Sequence, residues 1–256
     1  MKNKKMNKNF RTIGYMPLLY GKDYLEVSLL SVINHVEKMV VLHTNRPSYG
    51  FGTDMDNPDS VEELKAIAEK ICGDKLIWHE ANSGTEGDHR GEIYKYSDGY
   101  DLILAVDSDE VFCEQDLEIA LVEAYNSESR YLGISGYINL WRSFNHACFD
   151  GYTPIRITNL RNEIGESVVN CKIWHFSTAQ TAITTMYKLS IHGHKNEIKP
   201  EWFEQTFLLW NPNEPEKQKD LHLVAIGIWN ATLYDKNLMP EYLKEHKFFN
   251  HEIIIF

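Results

Sequence analysis

Five apolar residues in succession, Leu102 to Val106, run straight into Asp107-Ser108-Asp109-Glu110. Such a run fits a strand buried on both faces of a parallel sheet. Three carboxylates crowded just past its end resist joint ionisation. A hard divalent cation, Mg²⁺ or Mn²⁺, relieves that repulsion when one or two carboxylates hold it together with substrate phosphates. Ligands of open α/β sheets also gather at the carboxyl ends of the strands, where this cluster falls. Asp and Glu are equally at home in an acidic loop or a first helical turn. The buried strand in front of them favours the cation.

Bulk properties narrow the classes. A chain of 256 residues with 43% hydrophobic content and 12% aromatics can bury a substantial core. Its net charge of −11 argues against a nucleic-acid partner, whose binding surfaces are basic. The basic cluster Lys2, Lys4, Lys5 and Lys8 reads as a solvated tail over residues 1–10. No apolar run reaches the ~18 residues of a transmembrane segment and no signal peptide is apparent. The cysteines Cys72, Cys113, Cys148 and Cys171 are far apart, as buried thiols of a cytoplasmic protein would be.

Strands and helices alternate through residue 112. Residues 12–19, 38–43, 75–80 and 102–106 read as strands; residues 23–36, 59–72 and 86–97 read as helices. Ser60 with Glu63 marks one helix start and Gly73 its end. Short links between such units imply a right-handed, mostly parallel sheet flanked by helices. The second half is less regular: strands are expected over 131–140, 155–160 and up to 179, and helices over 201–210 and from 240. The final Ile-Ile-Ile-Phe suits an edge strand or a packing surface. One domain over 11–256 is expected, with a nucleotide-sugar half at 11–112 and an acceptor half at 113–256.

The stretch PLLYGKDYLEVSLLSVINHV, with Pro17, Tyr24, Leu25, Ser31 and Val32, resembles the opening of family 2 glycosyltransferases. Asp107-Ser-Asp109 stands where the Asp-x-Asp of the GT-A (nucleotide-diphospho-sugar transferase) fold belongs, and Trp174-His-Phe-Ser177 followed by Lys188 and His194 resembles family 17. The resemblance implies a Rossmann-like α/β domain that moves a sugar from a UDP- or GDP-linked donor to an acceptor hydroxyl, inverting the anomeric centre. It implies Mn²⁺ or Mg²⁺ as cofactor and a glycan, a lipid-linked sugar or a protein as acceptor. The chain departs from family 2 where His43, Thr44 and Asn45 replace the usual base-holding aspartate, and where Leu19 and Tyr20 replace the usual pair after the proline.

Site residues follow from both readings. Asp109 is the expected metal ligand, with Asp107 on the ribose or the ion and His175 completing the coordination. Pro17, Tyr20, His43, Arg90, Asp107 and Lys188 are assigned to the donor, and His192, His194 and Lys195 to a loop over the diphosphate. A general base is sought among Asp150, Glu163, Glu166 and Glu204, with Glu204 and Glu166 preferred. Trp141, Trp174, Trp202 or Trp210 could stack on a sugar, although most tryptophans fill cores. Two other classes stay open. One is a Mg²⁺-dependent nucleotidyltransferase, which needs a Gly-rich basic loop after its first strand. The other is a carbohydrate-binding protein that kept the fold without catalysis.

Overall fold

The structure, a computed structural model, describes residues 9–47, 52–81 and 84–256. The basic cluster at Lys2, Lys4, Lys5 and Lys8 lies outside these residues. Along the chain come β1 (Thr12–Leu18), α1 (Lys22–Val32), β2 (Lys38–His43), α2 (Val61–Cys72), β3 (Leu76–Glu80), α3 (Glu86–Gly91), β4 (Leu102–Ala105) and β5 (Glu110–Phe112). Then follow α4 (Glu114–Asn126), β6 (Tyr131–Trp141), β7 (His146–Cys148), β8 (Ile155–Asn159), β9 (Glu166–Thr178), α5 (Ala182–Ile191), β10 (Thr232–Leu233) and α6 (Glu241–Lys244). The α/β class expected from the sequence is the class observed.

In one sheet the strands lie in the order β10-β7-β6-β8-β4-β1-β2-β3. The half containing β4, β1, β2 and β3 is parallel throughout. Beyond β4 the chain adds β8 antiparallel, between β4 and β6. Strand β9 runs parallel to β6 for most of its length, and its far end pairs antiparallel with β5, setting His175 opposite Glu110. The chain leaves β1 towards β2 and β3, then returns to pair β4 on the other side of β1. The crevice of a doubly wound sheet opens at such a reversal. Here it is framed by the loops that follow β1 and β4.

Burial along β4 explains its unbroken apolar run. Leu102, Leu104 and Val106 enter the main core with Leu25, Leu29, Leu64 and Leu117 from α1, α2 and α4. Ile103 points the opposite way, into a second cluster with Ile13, Val40 and Ile93. Period-two alternation between two covered faces leaves no polar position in the strand. Helix α4 buries Leu117, Ala120, Leu121 and Ala124, a spacing of one helical stripe, and opens with Glu114 and Asp116 where acidic groups complement the dipole.

The loop after β1 is held by two local devices. Gly21 has φ 123°, and a Cβ there would overlap the Ser108 hydroxyl, so this position needs glycine on both counts. No side chain of the preceding loop caps α1; instead Asp59 Oδ2 accepts from Gly21 N at 2.7 Å and Lys22 N at 2.9 Å. The first amides of α1 are thereby satisfied by a carboxylate from the α2 side of the molecule.

Two segments of the second half take a form that the sequence left open. Residues 201–210 wind as a π-helix over Trp202–Leu208, entered through Glu201 in the left-handed region at φ 56°. The buried Arg142 guanidinium donates to the carbonyls of Phe207 and Leu208, which end the helix and have no partner within it. The terminal Ile-Ile-Ile-Phe forms no strand. Ile254 is buried beside Leu243 and Phe249, and its N–H donates to the Arg142 carbonyl at 2.8 Å. The end thus takes the packing alternative through Ile254, while Ile255 and Phe256 stay exposed.

Candidate functional site

The turn from Asp107 to Glu110 is built on the backbone. Glu110 N donates to Asp107 O at 3.0 Å, and Ser108 is tied to the α1 side by its hydroxyl on Tyr20 O and its carbonyl under Ser28 Oγ. Phe176 N donates to Asp109 O at 2.8 Å, which fastens β9 to the same turn. Three carboxylates and one histidine are thus positioned by main-chain contacts within the turn and from β9, and by hydroxyl contacts towards α1.

Each carboxylate already faces a cation of the protein. Asp107 meets Arg90 Nη2 at 2.9 Å and Arg156 Nη2 at 3.0 Å. Glu110, fully buried, accepts from Arg156 Nε at 2.7 Å, Arg156 Nη2 at 2.5 Å and Tyr137 Oη at 2.5 Å. Asp109 Oδ2 takes Lys188 Nζ at 3.1 Å and Gln180 Nε2 at 3.2 Å. Burial opposes ionisation of Asp107, yet Arg90 and Arg156 hold it well below the usual carboxylate range. Burial likewise opposes ionisation of Asp109, and Lys188 and His175 outweigh it. The repulsion that the sequence assigned to a metal is therefore met in large part by Arg90, Arg156 and Lys188.

A divalent ion still finds a partial set of ligands. Among the described residues, no three His, Cys, Asp or Glu side chains form a complete cage. His175 Nε2 lies 3.7 Å from Asp109 Oδ1, too far for a hydrogen bond. Two ligands each ~2.1 Å from one ion are separated by a gap of this order. His175 Nδ1 is engaged by Asn139 Oδ1 at 2.8 Å, so Nε2 is the nitrogen left to face Asp109. Burial pushes the His175 pKa down against the opposing pull of Asp109, a shift towards the neutral imidazole that a metal requires. Gln180 Oε1 is buried without a hydrogen bond, whereas Asp107 Oδ1, also outside hydrogen-bond geometry, is ion-paired with Arg90 Nη2 at 2.9 Å. Asp109 and His175, with the unpartnered Gln180 Oε1 nearby, could hold a small hard ion that completes its shell with phosphate and water.

These groups line a cleft of about 600 Å³. Of the residues assigned to donor and metal, Pro17, Tyr20, Arg90, Asp107, Asp109, His175 and Lys188 all border it. His43 does not: its ring pairs with Glu80 at 2.8 Å and stacks on Trp78, and Thr44 takes its place on the cleft wall. His192 and His194 border the cleft's far side, where burial first, then Lys188 and His194, push His192 down to about 4. The two preferred bases do not reach it. Glu166 is exposed at the start of β9, nine residues before His175, which is ~30 Å along a strand. Glu204 is exposed on the π-helix and absent from the cleft wall. All four tryptophans considered for sugar stacking are buried, Trp141 making edge contacts with both Trp202 and Trp210. Arg156 and Asn139 were not singled out by sequence; an arginine in the alternating strand IRITN was the available signal.

No family model and no curated protein matches the chain. Among solved structures, S. aureus TarS 1–349 in complex with UDP is 17% identical over 51% of this chain and 36% of its own, with a TM-score of 0.38. Glucosyl-3-phosphoglycerate synthase from Mycobacterium tuberculosis, in complex with Mg²⁺ and UDP, is 8% identical over 65% and 72%, at 0.41. The 4-diphosphocytidyl-2C-methyl-D-erythritol synthase from Anaerococcus prevotii is 10% identical over 63% and 88%, at 0.41. The chain spans about a third of the TarS structure's length. Overlaps this partial carry no substrate or reaction across. Among the described residues no helix is long and apolar enough to cross a membrane.

Proposed function

We propose that this chain is a glycosyltransferase that binds a UDP- or GDP-linked sugar in the cleft between β1 and β4 and transfers the sugar to an acceptor hydroxyl. The observation that carries the proposal is the facing pair Asp109 and His175, 3.7 Å apart, at the carboxyl end of parallel strands and beside Lys188. Asp109 and His175 would hold Mn²⁺ or Mg²⁺, with Asp107 nearby. When bound, the ion supplies charge neutralisation for the departing diphosphate. Lys188 and Arg90 add fixed positive charge on the same wall, Lys188 as a point charge and Arg90 as a planar fork. Pro17 and Tyr20 shape the nucleotide end, with Thr44 in the place expected for His43. For an inverting transfer, the acceptor base is to be sought among Glu86 and Glu197 on the cleft wall and Asp150 next to Asn139.

A nucleotidyltransferase is disfavoured by the loop after β1. Its two leading amides, on Gly21 and Lys22, already donate to Asp59, and Lys22 Nζ turns away to Glu63 at 3.0 Å. No phosphate cradle is left there.

Calorimetry with UDP and GDP, with and without Mn²⁺, tests the proposal. Binding should require the metal and vanish in Asp109→Ala. Equal affinity with and without Mn²⁺ refutes it.

A further inference from the structure

Asn139, on β6, sits in register with His175 on β9, and its side chain lies between that ring and Asp150. It is almost wholly buried. Its Oδ1 meets His175 Nδ1 at 2.8 Å and its Nδ2 points to Asp150 Oδ2 at 3.4 Å. Asp150 is itself fixed: Oδ2 accepts from Trp229 Nε1 at 2.6 Å and Oδ1 from Tyr152 N at 2.9 Å.

An amide can present either end to a neighbour, but a carboxylate can only accept. Asp150 therefore selects the NH₂ end of Asn139, which turns the amide oxygen towards the imidazole. A neutral imidazole carries one N–H, and an oxygen acceptor at Nδ1 draws it there. What remains at Nε2 is a lone pair, and it faces the Asp109 carboxylate across 3.7 Å with no hydrogen bond between them. Tyr137 packs its ring 4.9 Å from the imidazole and limits its rotation. A proton on Nε2 would occupy the lone pair that faces Asp109, and the pair could not share an ion.

We infer that Asn139, oriented by Asp150, is a positioning residue that locks His175 in the Nδ1–H tautomer and so keeps Nε2 available for a divalent cation. The cation part rests on the function proposed above; the tautomer part does not. Outer partners of this type commonly change metal affinity 10–100-fold when removed.

The test begins without metal or nucleotide. Long-range ¹H–¹⁵N spectra of the full chain, with His175 assigned by its absence in His175→Gln, should show a protonated Nδ1 and a bare Nε2. In Asn139→Leu, which preserves volume and removes the acceptor, His175 should lose the Nδ1–H form and Mn²⁺ affinity in the presence of UDP should fall at least tenfold. Asn139→Asp retains an acceptor for Nδ1–H while placing a second charge beside Asp150. It should be the less stable variant, yet keep the tautomer and bind Mn²⁺ within threefold of the parent. A purely structural role predicts the reverse order, with affinity following stability. A protonated Nε2 in the parent protein, or an unchanged tautomer in Asn139→Leu, overturns the inference. A tautomer switch together with metal-independent nucleotide binding upholds the lock and refutes the glycosyltransferase reading instead.

Discussion

Replacing Arg156 by Met tests whether the acidic turn is held by charge compensation from the protein. The guanidinium serves two carboxylates at once: Glu110, through Nε at 2.7 Å and Nη2 at 2.5 Å, and Asp107 at 3.0 Å. Asp107 keeps Arg90 after the substitution, at 2.9 Å. Glu110 keeps only the Tyr137 hydroxyl and the long contact from Asp107 N at 3.3 Å, and it has no exposed surface through which water could replace the lost partner. Removing one member of a buried pair costs ~3–5 kcal/mol, since the remaining charge stays desolvated. At ~2–4 °C per kcal/mol for a chain of this size, the Tm should fall by roughly 6–20 °C in calorimetry at pH 7.5. The double variant Arg156→Met with Glu110→Gln should recover at least half of that loss, because glutamine is uncharged and can still accept from Tyr137. A single-variant loss below about 3 °C, or a double variant no more stable than the single, would show that Arg156 and Glu110 do not compensate one another.

Trp202→Ala should act on stability, since Trp202 is 2% exposed and its indole N–H donates to Leu221 O at 2.9 Å. A loss of ~3–5 kcal/mol is expected in denaturant unfolding, and a variant of unchanged stability would return Trp202 to the candidate acceptor surface. Acid should destabilise the fold through His192: its folded-state value is about 4 against an ordinary 6.5, with burial the main cause. The unfolded chain takes up this proton first, so the stability held above pH ~6.5 is lost as pH falls towards ~4. His192→Gln should flatten that part of the Tm profile, and an unaltered slope would assign the acid sensitivity elsewhere.

The parallel half of the fold was legible because its signals are local. A strand covered on both faces must be apolar at every position, as Leu102 to Val106 are. The start of α2 is written in Ser60, which accepts from Glu63 N at 3.2 Å. Asp107, Asp109, His175, Arg90 and Lys188, read from adjoining motifs, come together on one cleft wall. What was not legible depends on partners remote in sequence. Arg156 reaches Glu110 across 46 positions and Asn139 reaches His175 across 36. Carboxylates counted in a four-residue window therefore looked unpaired. His43 was misjudged for a different reason: at the end of β2 its side chain takes the face that carries Trp78, while the next residue turns into the cleft. The preferred bases were chosen by residue type alone, which says nothing about distance from β5.

The antiparallel pairing of β5 with β9 has a consequence for how this chain tolerates change. His175 stands opposite Glu110, and the next residue's N–H grips Asp109 O, so the spacing of the candidate ligands is set by adjacent rungs of one backbone ladder. Point substitutions leave rungs in place. A single inserted or deleted residue between Phe112 and Glu110, or between Ile173 and His175, moves every following side chain to the opposite face of the sheet. Length variation among descendants of this sequence should therefore accumulate in the loops and stop abruptly at these two short stretches, even where the individual amino acids drift.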